Sequence, residues 1–288
     1  MMGINTNAPS LGAQMNLSKS AGSLETSIAR LSSGLRVNSA KDDAAGLAIA
    51  ERMTAQIRGF DVAARNANDG ISLLQVADGA LGKIGDNLQR MRELGVQAKN
   101  GTLNDTDRAN LNREFTELAN EVGRVATGTT FNGNNIFAAA NKTVNLQIGS
   151  GNVASDTLGV NLTDTGTAAG NDLQTTLGGA TQAAIVTAFG GVDTVANATT
   201  AITEIDTAIN DITNLRATTG ASLSRLDQVV SSLETTSANL SSARGRIMDA
   251  DFAKETANLT RSQILQQAGT AMLAQANQLP NNVLSLLR

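Results

Sequence analysis

The sequence predicts a mainly α-helical chain: long antiparallel helices in a coiled-coil-like bundle, with a small β-hairpin and a short irregular outer insertion. Three observations predict this fold. The 288 residues include six Phe and no Trp or Tyr, so the large aromatic side chains of thick globular cores are scarce. Apolar residues recur at alternating steps of three and four, the heptad pattern of paired helices. Residues 163–200 are mostly Thr, Ala, Gly, Asn and Asp, a composition typical of surface loops.

The first predicted helix contains a heptad seam that begins at Leu17. Its apolar positions are Leu17, Ala21, Leu24, Ile28, Leu31 and Leu35. Residues 37–43 then break the pattern with polar residues that include two adjacent aspartates. Such residues favour helix starts and links, so the break predicts a non-helical connection or a new N-cap.

A second and a third helix follow as an antiparallel pair. The second seam comprises Leu74, Ala77, Leu81, Ile84, Leu88 and Met91, and the third comprises Leu111, Phe115, Leu118, Val122 and Val125. Residues 100–107 between them are rich in Gly, Asn, Thr and Asp, which predicts a turn. A short turn sends the third helix back along the second.

The region after the third helix predicts a β-hairpin and then the insertion. Residues 127–135 contain two Gly and three Asn and end the helix. Apolar and polar residues alternate at 144–148 and again at 158–162, as expected of two half-buried strands. Residues 163–200 are expected to be exposed and weakly ordered, with one short helix at 182–189.

The longest periodic pattern lies in the C-terminal half of the chain. One heptad frame runs from 202 to 247, and ten of its fourteen positions are Ile, Leu or Val. A helix of that length spans roughly 70 Å at about 1.5 Å per residue. It needs flanking helices to bury its seam, and the N-terminal half supplies them.

Both ends of the chain lack charge. The first 18 residues and residues 262–287 contain no Asp, Glu, Lys or Arg. Burying an unpaired charge costs several kcal/mol, whereas buried amides can hydrogen-bond to one another. The ends are therefore predicted to be buried on nearly all sides by other copies of the chain. The last segment has its own apolar seam at Leu265, Met272, Leu279 and Leu286.

Composition excludes many other functions. Without His or Cys the chain lacks the usual catalytic triads and zinc ligands, so we expect no enzyme activity, catalytic residue, cofactor or metal. A net charge of −4 without basic clusters argues against nucleic acid, and no apolar run of 18 residues predicts a membrane span. The N-terminus has no Sec-type signal pattern, which alone would predict the cytoplasm.

Two groups of charged residues remain as candidate sites. The acidic pairs Asp42/Asp43 and Asp249/Asp251 lack further ligands at a useful spacing, and we expect them at helix ends or beside Arg. Residues 89–94 form a charged helical face beside an apolar seam. From the residues alone, this face is expected to be solvated.

Both ends of the sequence resemble bacterial flagellins. The resemblance covers residues 1–162 and 200–288. It is carried by LSSGLRVNSAKDDAAG at 31–46, RNANDGI at 65–71, FNG at 131–133, LSSAR at 240–244, and the tail from QILQQAG at 263–269 to VLSLLR at 283–288.

The resemblance implies a division into the two inner flagellin domains, D0 and D1. Residues 1–43 and 248–288 would form D0 with its linking spoke. Residues 44–162 and 201–247 would form D1. The remaining segment, 163–200, would be a short variable outer region.

The resemblance also implies a structural subunit that self-assembles into the helical flagellar filament for swimming motility. Flagellins are exported unfolded by the flagellar type III apparatus, with an uncleaved signal and a chaperone. Outside the cell, the filament would bind cap and hook-junction proteins. A hook–filament junction protein of the same apparatus is the alternative. A protease carried in the insertion is a further class, but it would need metal-binding His.

Two sets of site residues follow. By resemblance, recognition by host Toll-like receptor 5 would use Gln89, Arg90, Leu94 and Glu114. For the inner filament contacts we expect the apolar residues Leu24, Ile28, Leu31, Leu265, Met272, Leu279 and Leu286.

Overall fold

The computed structural model describes residues 7–137, 143–162, 164–167, 171–172 and 187–285, with backbone alone at 164–167, 171–172 and 279–285. The long helices are α1 (Ala8–Ser33), α2 (Ala44–Ala98), α3 (Asp105–Gly128), α4 (Val195–Met248) and α5 (Phe252–Ser285). The strands are β1 (Thr130–Phe131), β2 (Asn134–Asn135), β3 (Thr143–Gln147), β4 (Thr157–Asn161), β5 (Asp164–Thr167) and β6 (Asn171–Asp172). The predicted mainly α fold is confirmed.

Polar caps set the ends of α1. The Asn7 side chain accepts a hydrogen bond from the Ser10 amide, and Pro9 lies in the first turn, where its missing N–H costs nothing. At the other end Gly34 adopts a left-handed conformation with φ 72° and donates its amide to Arg30 O. Glycine is favoured there because it lacks a Cβ.

The predicted break between the first two helices is confirmed, and its aspartates work as caps. The Asp43 carboxylate accepts the Gly46 amide at 2.8 Å and starts α2. The Asp42 carboxylate accepts the Ser39 hydroxyl and amide and the Asn38 amide. These bonds, the Ser39 hydroxyl first, lower the pKa of Asp42 below its ordinary value.

The second acidic pair also lies at a helix end. The Asp251 carboxylate accepts the Ala253 and Lys254 amides and caps α5. Asp249 pairs through its backbone with Leu35. Among the described residues, no group of three or more acidic residues could hold a metal ion.

Packing divides the chain into two compact units. Unit 1 comprises residues 1–57 and 238–288, and unit 2 comprises residues 58–237. The division falls inside α2 and α4. The expected domain boundaries at 43/44 and 247/248 lie at the ends of these helices and stay a prediction. The first turns of α2 belong to unit 1, where Arg244 of α4 donates to the Thr54 hydroxyl at 3.5 Å.

Unit 2 contains one continuous hydrophobic core built from α2, α3, α4 and the β3–β4 hairpin. The predicted seam of the second helix is confirmed: Leu74, Ala77, Leu81, Ile84, Leu88 and Met91 are all fully buried. In the third helix Phe115 and Val122 are fully buried, and the other three seam residues pack against the core.

Two ion pairs show that α4 is antiparallel to α2. Arg92 contacts Asp206 at 2.6 Å, whereas Asp78, earlier on α2, contacts Arg216, later on α4, at 2.9 Å. The pairing of these exposed residues raises the pKa of both arginines. On α3, Arg108 contacts Ala98 at the end of α2 and Glu114 contacts Arg90 earlier on α2, so the predicted antiparallel return of the third helix along the second is confirmed.

The predicted hairpin is confirmed with its register. β3 and β4 are antiparallel, and Val144 lies opposite Val160 while Leu146 lies opposite Leu158. A second, smaller hairpin, β1–β2, was not predicted. Its tight turn has Asn132 at φ 49° and Gly133 at φ 76°, the Asn-Gly turn typical of two-residue hairpins.

The expected exposure of 163–200 is wrong at its C-terminal end. Phe189, Val192 and Ala198 are fully buried in the core of unit 2, and the Val192 amide donates to the Asn112 side chain at 2.8 Å. The polar composition hides these apolar residues, whose spacing is too wide to show a period. Residues 187–189 are helical, and the rest of the helix expected at 182–189 lies outside the described residues.

In the first half of α4, the buried face differs from the predicted heptad frame. The buried positions are Ala198, Ala201, Ile205, Ala208, Asp211, Ile212, Leu215 and Thr219. Positions 205, 212 and 219 also belong to the predicted heptad frame. Arg216, another position of that frame, is exposed. Alanines make the closest contacts of the buried face, and the larger isoleucines lie at its edge. The prediction followed the larger side chains and therefore placed the buried face incorrectly.

Candidate assembly and recognition surfaces

Unit 1 pairs α1 with α5 through a seam of small and polar residues. The least exposed positions of α1 are Ser10, Ala13, Leu17, Ser20, Leu24, Ser27, Arg30 and Leu31. Those of α5 are Glu255, Asn258, Leu259, Ser262, Gln266, Gly269, Leu273 and Ala276. A seam of this kind buries little apolar area, so it contributes little hydrophobic stabilisation.

Several large apolar side chains of the pair point away from this seam. Ile28 is 51% exposed, Leu265 52% and Met272 61%. Leu11, Met15 and Ile264 are also exposed on the same two helices. In α1 the expected seam residues Leu17, Leu24 and Leu31 are half-buried and Ile28 is exposed, whereas in α5 the described seam residues Leu265 and Met272 are both exposed.

The seven residues expected at inner filament contacts therefore fall into three groups. Ile28, Leu265 and Met272 are exposed, whereas Leu24 and Leu31 are half-buried in the α1–α5 seam. The Leu279 side chain and the whole of Leu286 lie outside the described residues.

Polar contacts hold the α1–α5 pair at both ends. At one end Asn7 donates to Ala276 O at 2.9 Å and Ser10 donates to the Asn277 side chain at 2.8 Å. At the other end the Ser27 hydroxyl donates to Glu255 Oε1 at 2.7 Å. Early residues of α1 thus meet late residues of α5, so the pair is antiparallel.

A short stretch of paired backbone follows the Glu255 end of the pair. The Arg36 amide donates to Met248 O at 2.6 Å, and the Ala250 amide donates to Gly34 O at 3.0 Å. The Arg36 guanidinium also donates to Ile247 O. These bonds connect the C-terminal end of α1 with the connection between α4 and α5.

The expected receptor residues on α2 and α3 include an ion pair. The Arg90 guanidinium donates to Glu114 Oε1 through Nε at 3.0 Å and Nη2 at 2.8 Å, and to Glu93 at 2.8 Å. Both carboxylates, Glu114 first, raise the pKa of Arg90 above its ordinary value. Gln89 is exposed beside this pair.

Leu94 does not share this surface. It is 1% exposed and belongs to the core of unit 2. Leu94 lies three residues after Met91 and next to position 95 of the heptad frame, on a face that is buried at 91, 94, 95 and 98. The structure therefore brings together Arg90, Glu114 and Gln89 without the Leu94 side chain.

One feature of the α2–α3 turn carried no sequence signal. Arg108 is buried, and its guanidinium donates to Ala98 O, Leu103 O and Asn100 O. It satisfies carbonyls at the end of α2 and in the turn. No heptad or capping pattern marks such a residue; only its place just after a predicted turn could have suggested it.

The helices that the structure describes include none long and apolar enough to cross a membrane.

Comparison with known proteins covers both ends of the chain. Residues 4–142 match the family described as the bacterial flagellin N-terminal helical region, and residues 202–287 match the bacterial flagellin C-terminal helical region. A flagellin of Halalkalibacterium halodurans is 43% identical over 287 residues and aligns over 99% of both chains. A flagellin of Bacillus subtilis is 38% identical over 312 aligned positions and 100% of both chains. The crystal structure of Bacillus cereus flagellin aligns with 59% of this chain and 88% of its own, with 36% identity and a TM-score of 0.47.

Proposed function

Because the chain belongs to the bacterial flagellin family and is a structural subunit of the flagellar filament, we propose that exposed apolar residues of α1 and α5 make its inner subunit contacts. The full-length relatives are flagellins, so the hook–filament junction alternative is not favoured. Ile28, Leu265 and Met272 support the proposal, because each is more than half exposed in the single chain. Other copies bury them in the polymer.

The proposed mechanism couples folding of the ends to polymerisation. The α1–α5 seam buries mainly small and polar side chains, so the pair gains little from its own contacts. Burial of the outer apolar residues against neighbouring copies adds the missing stabilisation, as for segments that fold on binding. A head-to-tail helical array repeats the same interface without closing.

The experiment that tests these contacts replaces Leu265 and Met272 together by Ser. We expect filament formation to be lost in sedimentation and electron microscopy, while the circular dichroism of the monomer changes little. Gln275→Ser on the exposed surface of α5 is the matched control, and it should polymerise. Normal filaments from the double variant would refute the proposed inner contacts.

We also propose that vertebrate Toll-like receptor 5 recognises the surface formed by Gln89, Arg90 and Glu114. Support comes from the resemblance at these positions and from the exposed, paired side chains. The contact with Glu114 holds the Arg90 guanidinium in one orientation, which reduces the side-chain entropy lost on binding. In this proposal Leu94 does not contact the receptor. Its side chain packs in the core beneath this surface and so supports the position of Arg90.

Reporter cells that carry the receptor test this assignment with purified monomer. Arg90→Ala and Glu114→Ala should each lower the response, whereas Arg124→Ala, which removes an exposed arginine paired with Glu121, should not. An inactive monomer, or a full response from Arg90→Ala, would refute the assignment. Leu94→Ala should cost about 2–5 kcal/mol of folding stability, so any loss of response should follow its loss of fold.

We further propose that the chain has no enzymatic role and leaves the cell unfolded through the flagellar type III apparatus. Its signal is uncleaved, and a chaperone holds the C-terminal helices before export. Cap and hook-junction proteins are its partners in the filament. Mass spectrometry of purified filaments tests the uncleaved signal, because the tryptic peptide that ends at Lys19 should be recovered from its natural N-terminus. A subunit that begins downstream of this peptide would refute it.

A further inference from the structure

A polar cluster interrupts the α1–α5 seam near one end; two of its residues are buried, and the side chain of the third, Arg30, is 29% exposed. It comprises Ser27, Arg30 and Glu255. Ser27 is 4% exposed and Glu255 8%, and their side chains are 2.7 Å apart. Arg30 Nη1 lies 3.9 Å from Glu255 Oε2, and Arg30 Nε is buried without a hydrogen-bond partner.

The two charges lie at the helix ends that favour them. Arg30 is in the last turn of α1 and Glu255 is in the first turn of α5. A cation at a helix C-terminus and an anion at a helix N-terminus are each stabilised by the helix dipole. Because the pair is antiparallel, these two helix ends lie side by side and the charges can meet; in a parallel pairing they would lie at opposite ends.

Stability alone does not explain the cluster. Taking the Glu255 carboxylate and part of the Arg30 side chain out of water costs free energy that commonly offsets their attraction, and apolar residues of similar volume are often at least as stable. The partnerless Arg30 Nε adds to the cost. In coiled coils, single buried polar groups instead select one register, because every other register leaves them unpaired.

We propose that the Ser27–Arg30–Glu255 cluster fixes the register of α1 against α5. The inference rests on the proposed inner contacts of the filament. A slip by one helical turn would displace α5 along α1 by about 5.4 Å. It would leave Glu255 unpaired and move Leu265 and Met272 relative to Ile28, so the surface presented to the next subunit would change.

Two other features of unit 1 could hold the register without the cluster. One is the paired backbone at Arg36 and Met248, and the other is the Asn7 contact with Ala276 O. Both lie at the ends of the helix pair. If the cluster fixes the register, these two contacts alone do not hold it. The cross-linking experiment below measures whether they do.

Engineered disulfides can report the register, because the natural chain has no Cys. A Cβ built at Gly269 lies 3.8 Å from Leu17 Cβ, which matches the mean Cβ separation of a disulfide. The pair Leu17→Cys/Gly269→Cys therefore reports the native register. Leu17→Cys with Gln266→Cys and Leu17→Cys with Leu273→Cys report slips in the two directions.

Each cysteine pair is tested in filament and soluble fractions of three backgrounds. These are the natural chain, the apolar variant Ser27→Ala/Arg30→Leu/Glu255→Leu, and the matched control Ser20→Ala, which alters a seam hydroxyl outside the cluster. Non-reducing gels separate the intrachain loop from linked subunits. In filaments, we expect the native cross-link to dominate in the natural chain and in Ser20→Ala. In the apolar variant it should fall at least threefold while a slipped cross-link rises.

Equal yields of the native cross-link in the natural and apolar backgrounds would overturn the proposal, since the other contacts would then hold the register. Loss of all three cross-links would also overturn it, because the cluster would then stabilise the pair without selecting its register. Neither result depends on the proposed inner filament contacts. Those contacts are tested separately and are refuted if Leu265→Ser/Met272→Ser polymerises.

Discussion

At the scale of single residues, Arg108 shows how one buried side chain can hold a helix connection. Its guanidinium donates at 3.2 Å to Ala98 O, at 2.6 Å to Leu103 O and at 3.4 Å to Asn100 O. The last carbonyls of a helix have no partner inside the helix. Arg108 supplies partners there and fixes the turn that directs α3 back along α2.

We predict that Arg108→Ala lowers the free energy of unfolding of the monomer by about 2–3 kcal/mol, because buried carbonyls lose charge-assisted hydrogen bonds. Chemical denaturation followed by circular dichroism measures the change. Arg113→Ala, which removes an exposed arginine of the same helix, should stay within about 0.5 kcal/mol. Similar losses from both variants would show that the turn does not depend on Arg108.

At the scale of helices and strands, sequence periodicity was most accurate where one helix has a single buried face. Leu74, Leu81 and Leu88 of α2 are buried as predicted, and the β3–β4 hairpin follows the predicted alternation. Large apolar side chains mark such faces clearly. The fold class and the helix pairing could therefore be predicted from residues alone.

The same reasoning failed where the closest contacts use small residues. In α4 the alanines at 201 and 208 are buried, although the prediction favoured the neighbouring isoleucines. In α1 and α5 the paired faces contain Ser, Ala and Gly, while Ile28 and Met272 are exposed. Periodicity cannot tell a face that packs within the chain from one available to another copy. For the receptor surface, it could not show that Arg90 pairs with Glu114.

Thr219 allows the corrected position of the α4 seam to be tested. It is 1% exposed, and its hydroxyl has no hydrogen-bond partner. We predict that Thr219→Val, which keeps the side-chain shape, raises the free energy of unfolding by about 1 kcal/mol, because an unpaired buried hydroxyl is removed.

Chemical denaturation measures this effect against Thr213→Val on the same helix. The Thr213 hydroxyl is exposed and donates to Ile209 O at 2.8 Å, so its replacement should bring no gain. If Thr219→Val destabilised the monomer as much as a core cavity does, the hydroxyl would have to be satisfied within the seam.

At the scale of the whole molecule, the two units differ in how they bury apolar surface. Unit 2 has a continuous core from three helices and a hairpin, with fully buried leucines and phenylalanines. Unit 1 has a helix pair whose larger apolar residues are mostly exposed. Unit 2 thus contains what it needs to fold alone, whereas the α1–α5 pair lacks a core of its own.

This difference predicts the behaviour of a chain that lacks residues 262–288. No residue of the unit 2 core, which lies within 58–237, is removed. We therefore expect a soluble, folded fragment whose cooperative unfolding resembles that of the intact monomer. Because the deletion removes Leu265 and Met272 together with most of α5, the fragment should not polymerise. Sedimentation and electron microscopy measure assembly, and filaments from the truncated chain would refute the mechanism.

In the intact chain, circular dichroism should show a gain of helix on polymerisation, since α1 and α5 become stable only when other copies cover their outer surface.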